Sequence, residues 1–169
     1  MQKAKVAFLV LVVVVVMALA ATAAAAPPDG ARVFQAKLSG GEEVPANDSD
    51  AHGIAMFRLS RDGTSIEYTL VVNNLENTLQ SHIHIGPAGV NGPVVVFLYP
   101  EGGPPPQLIE GSFSGKLASG TITEEDIILA GQTFESLLEA MRTGNAYVNV
   151  HTTAFPGGEI RGQIDGLGD

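Results

Sequence analysis

The sequence predicts an all-β fold, an antiparallel β-sandwich carrying one short helix. Three features predict it. From residue 33 onward, short runs of alternating apolar and polar residues recur, each bounded by Gly, Pro, Asn or Asp. Asp62-Gly63 falls between two such runs, where a tight hairpin needs it. Convincing helical spacing of apolar residues is confined to 133–142.

The elements follow in order. Residues 33–38 form a first strand that ends at Gly40-Gly41, and a polar loop runs through Pro45 and Asn47 to Asp50. Residues 53–59 and 65–72 pair across the Asp-Gly turn. Asn73, Asn74 and Asn77 turn the chain, and 81–85 is a short strand stopped by Gly86-Pro87-Ala88-Gly89. Residues 94–98 are continuously apolar, as in a strand covered on both faces. Pro104-Pro105-Pro106 belongs to a surface loop, and 109–117 resumes as a strand with Phe113 inward. Thr123 heads a capped turn with Glu124, Glu125 and Asp126. Thr133 caps the helix, Phe134, Leu137, Leu138 and Met141 form its apolar face, and Gly144 ends it. Strands 146–151 and 158–164 close the chain, for roughly eight strands in two packed sheets.

Ahead of these elements, Lys3 and Lys5 precede an uncharged apolar stretch at 6–19 and an alanine-rich segment. That order is expected of an export signal at 1–26, with a linker at 27–32 and one domain at 33–165. A retained membrane anchor is the competing reading, because with the alanines the apolar stretch reaches about 20 residues. Removal of the signal predicts a secreted, periplasmic or cell-surface protein of about 143 residues, within the usual size of one domain. Without Lys3 and Lys5 the net charge of −9 becomes about −11, which disfavours nucleic acid and anionic membrane as partners. The chain has no cysteine, so thiol chemistry and thiolate metal sites are excluded.

Histidines carry the main chemical signal. His82 and His84 are two apart on one predicted strand and therefore share a face. His151 ends another apolar strand and completes a trio if the two strands are neighbours. Three neutral imidazoles without thiolate suit copper, with zinc as the alternative and a fourth position filled by water, His52 or a carboxylate. The competing reading is that they anchor loops by hydrogen bonds. His52, in a polar loop, is expected at the surface or behind a site rather than as a ligand. Glu159 and Arg161 share a strand face, where a structural salt bridge is the default and guidance of anions toward a metal the alternative. Glu42, Glu43, Asp48 and Asp50 read as a solvated acidic edge, because no calcium-binding spacing is present. Phosphate loops, dinucleotide fingerprints, nucleophile elbows and zinc-protease helices are absent from the sequence, so no catalytic residue and no organic cofactor site is assigned.

Five ordered motifs resemble the CHRD domain, the module repeated in chordin and found singly in microbial secreted proteins. They are Leu38-Ser39-Gly40-Gly41-Glu42-Glu43-Val44-Pro45, Gly53-Ile54-Ala55-Met56-Phe57, and Ser81-His82-Ile83-His84-Ile85-Gly86-Pro87-Ala88-Gly89 with Asn91-Gly92-Pro93-Val94. The series continues through Gly144-Asn145-Ala146-Tyr147-Val148-Asn149-Val150-His151-Thr152 and Gly157-Gly158-Glu159-Ile160-Arg161-Gly162-Gln163-Ile164. The resemblance implies an Ig-like sandwich and an extracytoplasmic location, and leaves the activity undefined. A weaker similarity to copper-zinc superoxide dismutase implies copper ligation by His82, His84 and His151. The bridging histidine, the zinc-loop ligands and the disulfide cysteines of that family are missing, so a bimetallic site is not implied.

The function expected is a secreted, non-enzymatic binding module with a mononuclear copper or zinc site, its partners a metal ion and another extracellular protein. The alternatives are a dismutase-like or other copper redox enzyme, and a metal-free adhesion domain. Membrane is a partner only if the N-terminal segment is retained.

Overall fold

The structure is a computed structural model that describes residues 30–167; the expected signal and the start of the linker lie outside them. The elements are β1 (Val33–Ser39), β2 (His52–Leu59), β3 (Ile66–Ile85), β4 (Val94–Tyr99), β5 (Ile109–Ile122), α1 (Phe134–Arg142), β6 (Ala146–Thr152) and β7 (Ile160–Leu167). Every strand pairing is antiparallel, and one short helix accompanies the strands, as the sequence predicts.

Hydrogen bonding runs in the order β2-β1-β7-β6-β3-β4, with β5 also on β3. Because β3 pairs with β2 as well, the path from β3 through β2, β1, β7 and β6 returns to β3. Hydrogen bonds therefore join the layers of the fold into a single seven-stranded sheet.

The turn expected at 73–77 and the separate strand at 81–85 are instead parts of β3, which is 20 residues long. Asn74 and Asn77 take φ values of 59° and 53°, a region asparagine enters more readily than most residues. The β3–β5 register slips between Val72 and Leu75 and again between Glu76 and Thr78. Such irregularities bend a strand without ending it. They also change which residues face the core. Before the slip the buried positions are Ile66, Tyr68, Leu70 and Val72; after it they include Leu75 and Ile83. His82 and His84 are thereby turned to the face opposite Ile83.

The core takes Phe34, Ala36 and Leu38 from β1, Ala55, Phe57 and Leu59 from β2, Val148 and Val150 from β6, and Ile160 and Ile164 from β7. Helix α1 packs on β6 and β7 and adds Phe134, Leu137, Leu138 and Met141. Thr133 caps it as expected: its hydroxyl accepts from the Ser136 amide at 3.2 Å, and the Ser136 hydroxyl accepts from the Thr133 amide at 2.9 Å. A reciprocal cap of this kind stabilises a helix end by about 1 kcal/mol. The Asp62-Gly63 hairpin also forms, with Leu59 opposite Ile66 and Gly63 at φ 77°.

Candidate metal centre

All seven residues of β6 are buried, although Tyr147, Asn149 and His151 alternate with apolar ones. Half of that burial is the core. The other half is a polar face covered by loops. In register, His82 lies opposite Asn149, His84 opposite Tyr147 and Gln80 opposite His151, so the polar residues of β3 and β6 share this face.

The three histidines meet there, with one ligand atom from each within 4.8 Å of the others. His82 Nδ1 is 3.1 Å from His151 Nε2. His84 Nδ1 donates to the Gly92 carbonyl at 2.9 Å and His151 Nδ1 to the Pro156 carbonyl at 3.0 Å. A carbonyl only accepts, so both rings carry their proton on Nδ1 and present a bare Nε2 to the cluster. Burial lowers the pKa of all three histidines; for His82, pushed down to about 3, the neighbouring His151 and His84 act in the same direction. The rings are neutral at pH 7, the state in which imidazole binds metals.

An ion bonded at about 2 Å holds its ligands no more than about 4 Å apart, so the trio would close slightly around one. Loops set its ceiling. Residues 86–93 reach over β6 and are fixed by Arg161, which is only 1% exposed. Its guanidinium donates to Asn91 Oδ1 at 3.1 Å, to the Val90 carbonyl at 2.9 Å and to the Pro87 carbonyl at 3.3 Å. The same guanidinium lies 3.4 Å from the Tyr147 ring centroid, and Tyr147 stacks on His84. Arg161 thus acts through packing on the loop that orients His84.

The salt bridge expected of Glu159 and Arg161 does not form. The donors of Arg161 go to the loop, while Glu159 accepts from the Ser49 and Thr152 hydroxyls, each at 2.6 Å. Burial of Arg161 also removes it from the surface where it would guide anions. Glu42, Asp48 and Asp50 are exposed as expected, but Glu43 is buried. Burial pushes its carboxyl up to about 7, with the positive Arg161 and the Val44 amide acting the other way. The acidic edge is solvated in all but this residue. His52 is exposed, with Nδ1 3.3 Å from the Asp50 carbonyl, and takes no part in the cluster.

Asn149 and Tyr147 escaped the sequence reading. Their signal was the alternation Tyr147, Asn149, His151, which puts all three on the face that His82 and His84 occupy across the register.

The fold and the cluster define an all-β, antiparallel domain with a buried histidine trio compatible with a metal ion. The profile of the CHRD domain matches residues 34–164, and the chain belongs to the CHRD-domain family. Neither a curated protein nor a solved structure gives a significant match.

Proposed function

We propose that this CHRD-domain protein is an exported, non-enzymatic binding module that holds one copper ion, or zinc in its place, through His82, His84 and His151. The observation that carries the proposal is the convergence of three neutral imidazoles, two of them with tautomers set by the Gly92 and Pro156 carbonyls. Backbone acceptors behind metal-binding histidines fix ring orientation in this way. Lack of thiolate and the presence of imidazole nitrogen favour copper and zinc over softer or harder ions.

Burial supports a binding role over turnover. His82, His84 and His151 are 3%, 8% and 7% exposed beneath two loops. A surface cavity of about 690 Å³ is lined instead by Arg32, Arg58 and Arg61 with Ser60, Ser65 and Thr121. Export rests on the basic, apolar and small-residue order of the first 26 residues.

Equilibrium dialysis of the purified protein against copper tests the site: one equivalent is expected, and its loss in His82→Ala. No stoichiometric binding, or binding untouched by that substitution, overturns the proposal. Superoxide consumption by the copper-loaded protein above a free-ion control would establish the enzyme instead. Mass spectrometry of the exported protein tests the signal, with a new N-terminus between residues 22 and 27 expected.

A further inference from the structure

We infer that Asn149 is the fourth ligand of this site, and that its side-chain amide turns over when the ion binds. The inference rests on the metal reading above. Asn149 is 4% exposed and stands between two of the histidines, with Oδ1 3.0 Å from His84 Nε2 and 3.0 Å from His151 Nε2. Both nitrogens are bare, because their rings spend the Nδ1 proton on Gly92 and Pro156. A carbonyl oxygen facing two bare ring nitrogens sets three acceptors against one another.

Two arrangements relieve this. In the first, the amide turns by half a revolution and its NH₂ group supplies a proton toward each nitrogen, two donors for two lone pairs. In the second, a cation sits among them and the oxygen points at it. Three of the separations suit the second arrangement, 3.0 Å from Oδ1 to each Nε2 and 3.1 Å from His82 Nδ1 to His151 Nε2, while the trio, spread over up to 4.8 Å, would close slightly around the ion. Ligands at about 2 Å on a tetrahedral ion lie about 3.3 Å apart. His82 Nδ1, His84 Nε2, His151 Nε2 and Asn149 Oδ1 then make a set of three nitrogens and one oxygen.

The amide therefore has a task in each state. Without metal its NH₂ holds the imidazoles apart and occupies their lone pairs. With metal its oxygen takes up a coordination position that would otherwise fall to water. A neutral oxygen ligand also predicts the effect of charge: Asp at this position keeps the shape, cannot donate when ionised, and attracts a divalent cation.

The test uses zinc and copper(II) salts with the full chain and its Asn149→Ala and Asn149→Asp variants, read by competition dialysis, and NMR of the wild type with zinc. Asn149→Ala is expected to weaken binding by about 10- to 100-fold, and Asn149→Asp to strengthen it at least about tenfold while lowering the stability of the metal-free protein. In the wild type, NOE contacts from the Asn149 amide protons to the His84 and His151 rings are expected without metal and absent at zinc saturation. Stoichiometric binding with an Asn149→Ala affinity within about twofold of wild type would overturn the inference alone. So would NOE contacts that persist at saturation, a result available even if the Ala variant fails to fold. No binding by the wild type would overturn the metal reading, and the inference with it.

Discussion

His82 Nδ1 and His151 Nε2 lie 3.1 Å apart although 69 residues separate them in the chain. The β3–β6 pairing brings them together, and it keeps the backbone in place when either ring is truncated. His151→Ala and His82→Ala are therefore expected to lower copper affinity by more than about 100-fold while the β-sheet circular dichroism is retained. His52→Ala, at an exposed ring outside the cluster, is expected to leave affinity within about twofold. Competition dialysis of the three variants side by side checks this.

The direction of the histidine pKa shifts fixes a dependence on acid. His82 falls from 6.5 to about 3 on folding, and His84 and His151 fall as well. Between those limits the unfolded chain binds protons that the folded chain refuses. The stabilisation is present above pH 6.5 and is lost as pH falls toward 3. His82→Gln, which cannot titrate, is expected to reduce the loss of unfolding free energy between pH 6.5 and 4 by on the order of 2 kcal/mol. Urea unfolding across that range measures it.

Glu43 acts in the opposite sense. Its folded pKa is raised from 4.5 to about 7, so its contribution is full below pH 4.5 and is lost as pH rises through 7. Glu43→Gln keeps the shape without the ionisation. Its stability relative to wild type is expected to improve by on the order of 2 kcal/mol between pH 4.5 and 8, read by urea unfolding at both. A constant difference would show that the carboxyl is not held neutral.

Much of this was legible in the sequence because local chemistry agrees with the final structure. Thr133 spells a cap, Asp62-Gly63 spells a hairpin, and His82 and His84 must share a face on any strand. Three Asn residues within 73–77 resemble a turn, and only the pairing of β3 with β5, β2 and β6 keeps the strand running through them. Glu43 and Arg161 were misjudged for a similar reason. A charged residue reads as exposed until the chain that covers it is known, and loops 86–93 and 43–51 come from distant parts of the sequence. Asn149 reads as a polar strand residue until the register sets it between His84 and His151.

Arg161 holds the roof of the cluster, and its planar fork suits the three acceptors it meets on Asn91, Val90 and Pro87. Lys keeps the charge and loses both the fork and the stack on Tyr147. Arg161→Lys is expected to cost about 2–3 kcal/mol in urea unfolding. It is also expected to weaken copper binding by about tenfold, because loop 86–93 carries the carbonyl that orients His84.

Gly92 separates loop packing from metal binding. A Cβ there would overlap the carbonyl oxygen of Ile85, so Ala cannot be accommodated without moving the segment whose carbonyl accepts from His84 Nδ1. Gly89, in the same loop, has open space around a Cβ but sits at φ 75°. Ala at Gly89 therefore meets backbone strain of about 1–2 kcal/mol and no collision. Both substitutions are expected to destabilise, but only Gly92→Ala should free the His84 ring and lower copper affinity by more than about tenfold. Dialysis at a temperature where both variants remain folded makes the comparison. Equal affinities would mean that the Gly92 carbonyl does not position His84.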